Sequence, residues 1–179
     1  MPVNGVLALR DGACVSGACV PVREIRAEDA GALRRLVARS SERSIELRFF
    51  GPMRELSEEK ARRFAEVDGV DRFALVGLDP EDVDEIVAVV RYEREAGTDG
   101  AEYAALVEDR FQGRGLGIGL TRHLIEAARE RGIGRLHALV MRENWKMLSL
   151  LRSLEFPEHK RWEHGLEYVE IDLRPDEAA

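Results

Sequence analysis

The stretch Phe111-Gln112-Gly113-Arg114-Gly115-Leu116-Gly117-Ile118-Gly119 decides how this chain is read. Four glycines, Gly113, Gly115, Gly117 and Gly119, alternate between a strand-like segment and the start of an amphipathic helix. Glycine allows tight turning and close approach of a ligand to the main chain. At a helix start, free N–H groups and the helix dipole together favour an anion such as a phosphate. Two familiar phosphate loops are excluded by spacing. No Gly-Lys pair supplies the GxxxxGK[ST] pattern. The GxGxxG pattern ends on Ile118 if started at Gly113 and on Leu120 if started at Gly115, so it fails both times.

Working outward, Ala101 to Glu108 reads as the strand before the loop. The helix after it runs from about Leu116 to Arg131, with Leu120, Leu124, Ala127 and Ala128 on its inner face, and stops at Gly132. Arg135 to Met141 is the next strand, so this unit is a right-handed parallel crossover. It is a single crossover, which excludes a doubly wound nucleotide fold. Upstream, Phe73 to Leu78 and Glu85 to Tyr92 flank the turn Asp79-Pro80-Glu81-Asp82 and form an antiparallel pair.

Helices are expected at about Glu28 to Arg39, with Glu28 and Asp29 at the positive end of the dipole, and from Ser57 to Val67, with Ser57 as cap. Ser41 to Phe50 reads as either a short helix or a turn ending at Gly51-Pro52. A hairpin occupies about residues 6–25, around Asp11-Gly12 and Ser16-Gly17. Asn144 opens a last helix to Leu154, and strands at about Glu158 to Glu163 and Leu166 to Leu173 follow, leaving a short disordered tail at about 174–179. The expectation is one α/β (α+β) domain over 1–179, with a mixed, largely antiparallel sheet of six to seven strands and about four flanking helices.

Composition fits one globular domain: 179 residues, 45% hydrophobic and 34% charged. The formal net charge of -7 and the lack of a dense Lys/Arg run argue against a nucleic-acid partner. No apolar run approaches the roughly 20 residues of a membrane span, and Met1 to Arg10 does not read as a signal peptide. A cytoplasmic location without membrane contact is the expectation. Cys14 and Cys19 read as reduced thiols. No metal is expected, because His123, His137, His159 and His164 show no ligand spacing.

Gln112, Gly115 and Gly117 do fit Gln-x-x-Gly-x-Gly, which resembles the pyrophosphate motif of the GNAT superfamily of N-acyltransferases. The order of elements matches from about Val22 to Leu173. A narrower likeness lies in Leu9-Arg10-Asp11-Gly12, Val22-Arg23-Glu24-Ile25-Arg26, Glu28-Asp29-Ala30, Leu47-Arg48-Phe49-Phe50-Gly51 and Ala101-Glu102-Tyr103-Ala104. These resemble bacterial protein-lysine acetyltransferases that modify acyl-CoA synthetases. That subgroup often carries a fused cyclic-nucleotide-binding or synthetase-like domain, for which this chain has no room.

The resemblance implies acetyl-CoA as cosubstrate and direct attack of a primary amine, on a protein lysine or a small molecule, on its thioester. An amine of pKa near 10.4 is only roughly 0.04% neutral at pH 7, a deficit of about 4.6 kcal/mol. Glu102 is the implied general base. Leu106 and Val107 are expected to offer main-chain groups to the pantetheine arm. Gln112, Gly113, Arg114, Gly115, Leu116 and Gly117 are expected at the pyrophosphate, with Thr121 and Asn144 as further cofactor contacts. Glu108 and Asp109 should face away from the phosphates.

One departure stands out. Where many members carry a tyrosine acid seven residues after that Asn, this chain has Leu151. The general acid is therefore unassigned, and a non-catalytic acyl-CoA sensor stays open as the alternative. The resemblance leaves a homodimer open too. Arg48 and Arg54 flank a segment on the substrate side, and either greet an acidic substrate region or form a solvated face. Trp145 and Trp162 are expected to pack.

Overall fold

The computed structural model describes residues 13–15 and 18–174, with side chains from residue 19 onward. Leu9 to Gly12, the turn Ser16-Gly17 and most of the expected tail lie outside them. Strands β1 (Ala13–Val15) and β2 (Ala18–Val20) pair antiparallel, with Cys14 opposite Cys19. Cys19 is disulfide-bonded, which overturns the expectation of a reduced thiol there.

Nine strands and five α-helices are present among the described residues, one helix more than expected. After β3 (Val22–Glu24) come α1 (Ala30–Arg39), α2 (Glu42–Phe49) and α3 (Glu58–Ala65). The ambiguous stretch is thus a helix. Ser41 caps it by accepting from the Ser44 N–H at 3.2 Å, and Phe50 ends it in the left-handed region at φ 61°.

Next are β4 (Arg72–Leu78), β5 (Ile86–Arg94), β6 (Gly100–Val107), α4 (Leu116–Glu130), β7 (Arg135–Val140), α5 (Trp145–Ser153), β8 (Glu158–Glu163) and β9 (Leu166–Asp172). The seven-stranded sheet has the order β3-β4-β5-β6-β7-β9-β8, and only β6 and β7 run parallel.

Two cores sandwich the sheet. Leu120, Leu124, Ile125 and Ala128 of α4 pack with Val87, Val90, Tyr92 and Leu136 on one face. Leu33, Leu36 and Val37 of α1, with Ile45 and Ala61, pack with Ala74, Val76, Val89 and Leu106 on the other. Period-two alternation therefore turns Glu102, Ala104 and Leu106 of β6 toward α1–α3, and Ala101, Tyr103 and Ala105 toward α4. The central strands β4 and β5 are covered on both faces, so their sequences run apolar almost throughout. Strand β8 lies at the open edge and carries Lys160, Arg161 and Glu163, the charged pattern that discourages edge pairing.

Candidate active site

The site arises where β6 and β7 part. Their parallel register covers only Gly100–Glu102 against Arg135–His137. Beyond Glu102, that edge of β6 has no strand beside it among the described residues. A cleft of about 720 Å³ opens there, walled by β6, the loop 112–117, α2 and α5.

The phase of the β5–β6 ladder tells which main-chain groups face the cleft. The Glu108 N–H donates to the Val87 carbonyl at 2.8 Å. Bonded and non-bonded pairs alternate along an antiparallel ladder. In the register Val89↔Leu106 and Ala88↔Val107, Leu106 therefore spends its main chain on β5, while Val107 and Ala105 turn theirs to the cleft. The expectation of Leu106 as a main-chain donor is corrected to Ala105, because hydrogen-bonding direction also has period two. The Val107 carbonyl already accepts from Gln112 Nε2 at 2.9 Å.

The glycine loop ends at Gly115, which caps α4 from the left-handed region at φ 79°; Gly113 shares that region at φ 69°. No side chain among the described residues caps α4, and its first turn holds no acid. The N–H groups of its first turn are accordingly open to an anion. Gly117 is needed for space: a Cβ there would meet Leu150 at 3.2 Å and Val107 at 3.6 Å. Both the uncapped turn and the adjoining cleft fit a pyrophosphate with an elongated apolar tail.

Polar side chains bind the loop to its walls. Gln112 Nε2 also donates to the Ser44 hydroxyl at 3.1 Å, and Gln112 Oε1 accepts from Lys146 Nζ at 2.7 Å. Asp109 accepts from the Ser41 N–H, the Ser41 hydroxyl and the Ser44 hydroxyl at 2.8, 2.7 and 2.8 Å. Burial pushes its carboxyl up, but these donors outweigh it and hold the group below its ordinary range. Glu108 is buried and paired with Arg39 at 3.1 Å and with Arg110. Glu108 is thus neutralised by two guanidinium groups, whereas Asp109 stays an anion held by neutral donors and lines the cleft, which corrects the expectation that it faces away.

Of the residues singled out in the sequence, Glu102, Leu106, Val107, Gln112, Gly113, Gly115, Leu116, Gly117 and Asn144 line the cleft; Arg114 and Thr121 do not. Thr121 is a correction. It is fully buried, donates to the Gly117 carbonyl at 2.7 Å and shares a 2.7 Å hydrogen bond with the Tyr103 hydroxyl, so it has no route to a phosphate. Burial raises Tyr103 to about 12. Arg114 stands exposed, 6.0 Å from the Phe111 ring.

Asn144 caps α5 by accepting from the Met147 N–H at 3.1 Å, while its amide N–H₂ makes no hydrogen bond among the described residues. Glu102 is exposed at the mouth of the β6–β7 gap, with no hydrogen bond or ion pair among the described residues. Leu151 is buried in the core, as a leucine should be.

Two wall residues escaped the sequence reading. Lys146 brings its ammonium to the loop; its only signal was its place two residues after Asn144. Trp145 lines the cleft and is 68% exposed, and Trp162 is 61% exposed, so neither packs as expected.

Comparisons with known proteins agree with this geometry. The family model described as Acetyltransferase (GNAT) family matches residues 40–156. A curated acetyltransferase of Pseudomonas aeruginosa is 30% identical over 141 residues, which cover 78% of this chain and 76% of that protein. The crystal structure of the GNAT domain of S. lividans PAT superposes with a TM-score of 0.84 at 33% identity, covering 96% of this chain and 99% of that one. A Salmonella typhimurium protein solved with its cofactor acetyl-CoA shares the fold at 17% identity and a TM-score of 0.69, over 90% and 98% of the two chains. Family match, relatives and fold together place the chain in the GNAT family as an N-acetyltransferase.

Proposed function

We propose that this cleft transfers an acetyl group from acetyl-CoA to a lysine of a protein, with Glu102 as general base. The observation that carries the reading is the position of Glu102: an exposed carboxylate, in no ion pair among the described residues, in the same cleft as the N-terminus of α4. Acetyl-CoA supplies the activated acyl group. The loop 112–117 holds its pyrophosphate through main-chain N–H groups, and the cleft-facing main chain of Ala105 and Val107 aligns the pantetheine arm. Glu102 takes the proton that the attacking amine must lose. No acid is assigned to the departing thiolate, which with a thiol pKa near 8.5 leaves without strong assistance.

Lysine as acceptor is supported by the likeness of Leu47 to Gly51 and Ala101 to Gly117 to protein-lysine acetyltransferases, and by an open cleft that a long exposed side chain can enter. Incubation with heavy-isotope acetyl-CoA and a panel of purified acyl-CoA synthetases, polyamines, amino acids and aminoglycosides tests it. Efficient, site-specific labelling of a synthetase lysine is expected. Efficient acetylation of a small amine, with no labelled protein lysine, overturns the acceptor while leaving the transferase intact.

Lys146 is expected to add a charge to the pyrophosphate site. Because it is exposed, its contribution is modest. Lys146→Met should weaken CoA binding by about two- to fivefold and lessen its salt dependence, read by calorimetry at two ionic strengths. Equal affinity at both would remove Lys146 from the site.

A further inference from the structure

Two guanidinium groups near the cleft lack the partners that buried cations normally have. Arg48, on α2, lines the cleft and is half-buried, yet among the described residues it forms neither a hydrogen bond nor an ion pair. Its guanidinium lies 4.7 Å from the Phe49 ring centroid. Arg91, on β5, is 7% exposed. It stacks 4.7 Å from the Phe64 ring centroid and, among the described residues, donates once, through Nη1 to the Phe64 carbonyl at 3.2 Å, while its buried Nη2 finds no partner there.

Both stand on the face that bears Glu102. In the strand register Arg91 lies between Ala74 and Ala104, and Glu93 lies opposite Glu102. Glu93 already has cations of its own, Arg63 and Arg72, each at 4.0 Å. Glu102 is the carboxylate that acts on Arg48, while Arg91 feels Glu93 against the repulsion of Arg48, Arg72 and Arg63. Burial lowers both arginines from their ordinary range, Arg91 to about 10, so this patch is cationic and poorly compensated. An unpaired buried charge is costly unless an anion arrives to meet it.

We propose that Arg48, backed by Arg91, receives a carboxylate carried beside the acceptor amine, so that the enzyme selects amines with an acidic neighbour. This rests on the reading of the cleft as an acetylation site with the amine at Glu102. An amine and a carboxylate on one acceptor then meet Glu102 and Arg48 on the same wall. Arginine suits the second task, since its planar fork matches a carboxylate and its charge persists at neutral pH. The carboxylate belongs to an acidic residue flanking a lysine, or to the α-carboxylate of a free amino acid.

The test uses lysine peptides flanked by Asp and the same peptides with Asn, which removes charge at nearly constant shape. A second arm uses free amino acids and their carboxamides. The parent enzyme should favour the Asp peptide at least about tenfold in kcat/KM, chiefly through KM. Arg48→Gln should abolish that preference, bringing kcat/KM on the Asp peptide down to the level of the Asn peptide. Arg48→Glu should reverse it toward a peptide flanked by Arg. If no peptide reacts but amino acids beat their carboxamides in an Arg48-dependent way, the carboxylate site stands and the protein-lysine reading falls. Equal parental rates on Asp and Asn peptides overturn the proposal. So does an Arg48→Gln loss of kcat that is the same on both, since Arg48 would then serve Glu102 alone. Transfer in neither arm, by an enzyme that acetylates a polyamine or an aminoglycoside, overturns the carboxylate site and leaves the transferase standing.

Discussion

Glu102→Gln should leave CoA affinity at the parental value and lower kcat by about 10²–10⁴-fold at neutral pH. The substitution keeps size and polarity, and removes the negative charge together with the ability to accept a proton. Folding should be unaffected, because the carboxylate is exposed and makes no hydrogen bond or ion pair among the described residues. The pH profile separates this role from a positional one. An amine of pKa near 10.4 becomes neutral tenfold more often with each unit of rising pH, so its deficit shrinks from about 3.4 units at pH 7 to about 1.4 at pH 9. The mutant-to-parent gap should therefore narrow as pH rises toward the amine's own pKa. Parental turnover at pH 7 in a mutant that binds CoA normally would remove Glu102 from the mechanism. A gap constant from pH 7 to 9 would assign it to acceptor placement instead.

Those two readings of Glu102 show what sequence could and could not give. The strand–loop–helix–strand order around Gly113 to Gly119 was legible, because turns, caps and periodicity are local properties. So were the antiparallel pair around Asp79-Pro80 and the buried faces of α1 and α4. Position along β6 was also readable, which is why Glu102 and Val107 reach the cleft. Hydrogen-bond direction was not readable, because it depends on the phase of the β5–β6 ladder, fixed by one contact between Glu108 and Val87. Thr121 misled for a related reason. Its place in the first turns of α4 suits a phosphate, but Tyr103, eighteen residues earlier, turns the hydroxyl into the core. Helix α2 carries charges among its apolar residues, so its weak pattern left the segment ambiguous until tertiary contacts decided it. Arg48 was visible as a candidate with two opposed readings, and the face it shares with Glu102 and Arg91, a tertiary property, is what supports the first. Trp145 and Trp162 look like core residues by chemistry alone; their exposure follows from where α5 begins and from β8 lying at a sheet edge.

The second large effect should come from Gly115→Val. Gly115 caps α4 at φ 79°, in the left-handed region that a β-branched residue adopts only with strain. Two responses are open to the mutant chain. It holds the backbone and carries a side chain into the space where the pyrophosphate must approach, or it relaxes and turns the first N–H groups of α4 away from a common point. Either way the anion loses main-chain donors, and CoA affinity should fall by about ten- to a hundredfold, since each 1.4 kcal/mol is tenfold. Strain alone would lower stability without touching the site, so a matched control is needed. Gly97 lies outside the cleft at φ 76°, with nothing within 4 Å of an added Cβ. Gly97→Val imposes nearly the same backbone conflict and should cost a similar part of the roughly 1–3 kcal/mol expected for such a residue, with CoA affinity unchanged. Calorimetry of CoA binding, with urea unfolding on both variants, reads the two quantities separately. If Gly115→Val binds CoA as the parent does, the pyrophosphate does not sit on this turn. If both variants lose affinity in proportion to lost stability, the loop's glycines serve the fold and not the ligand.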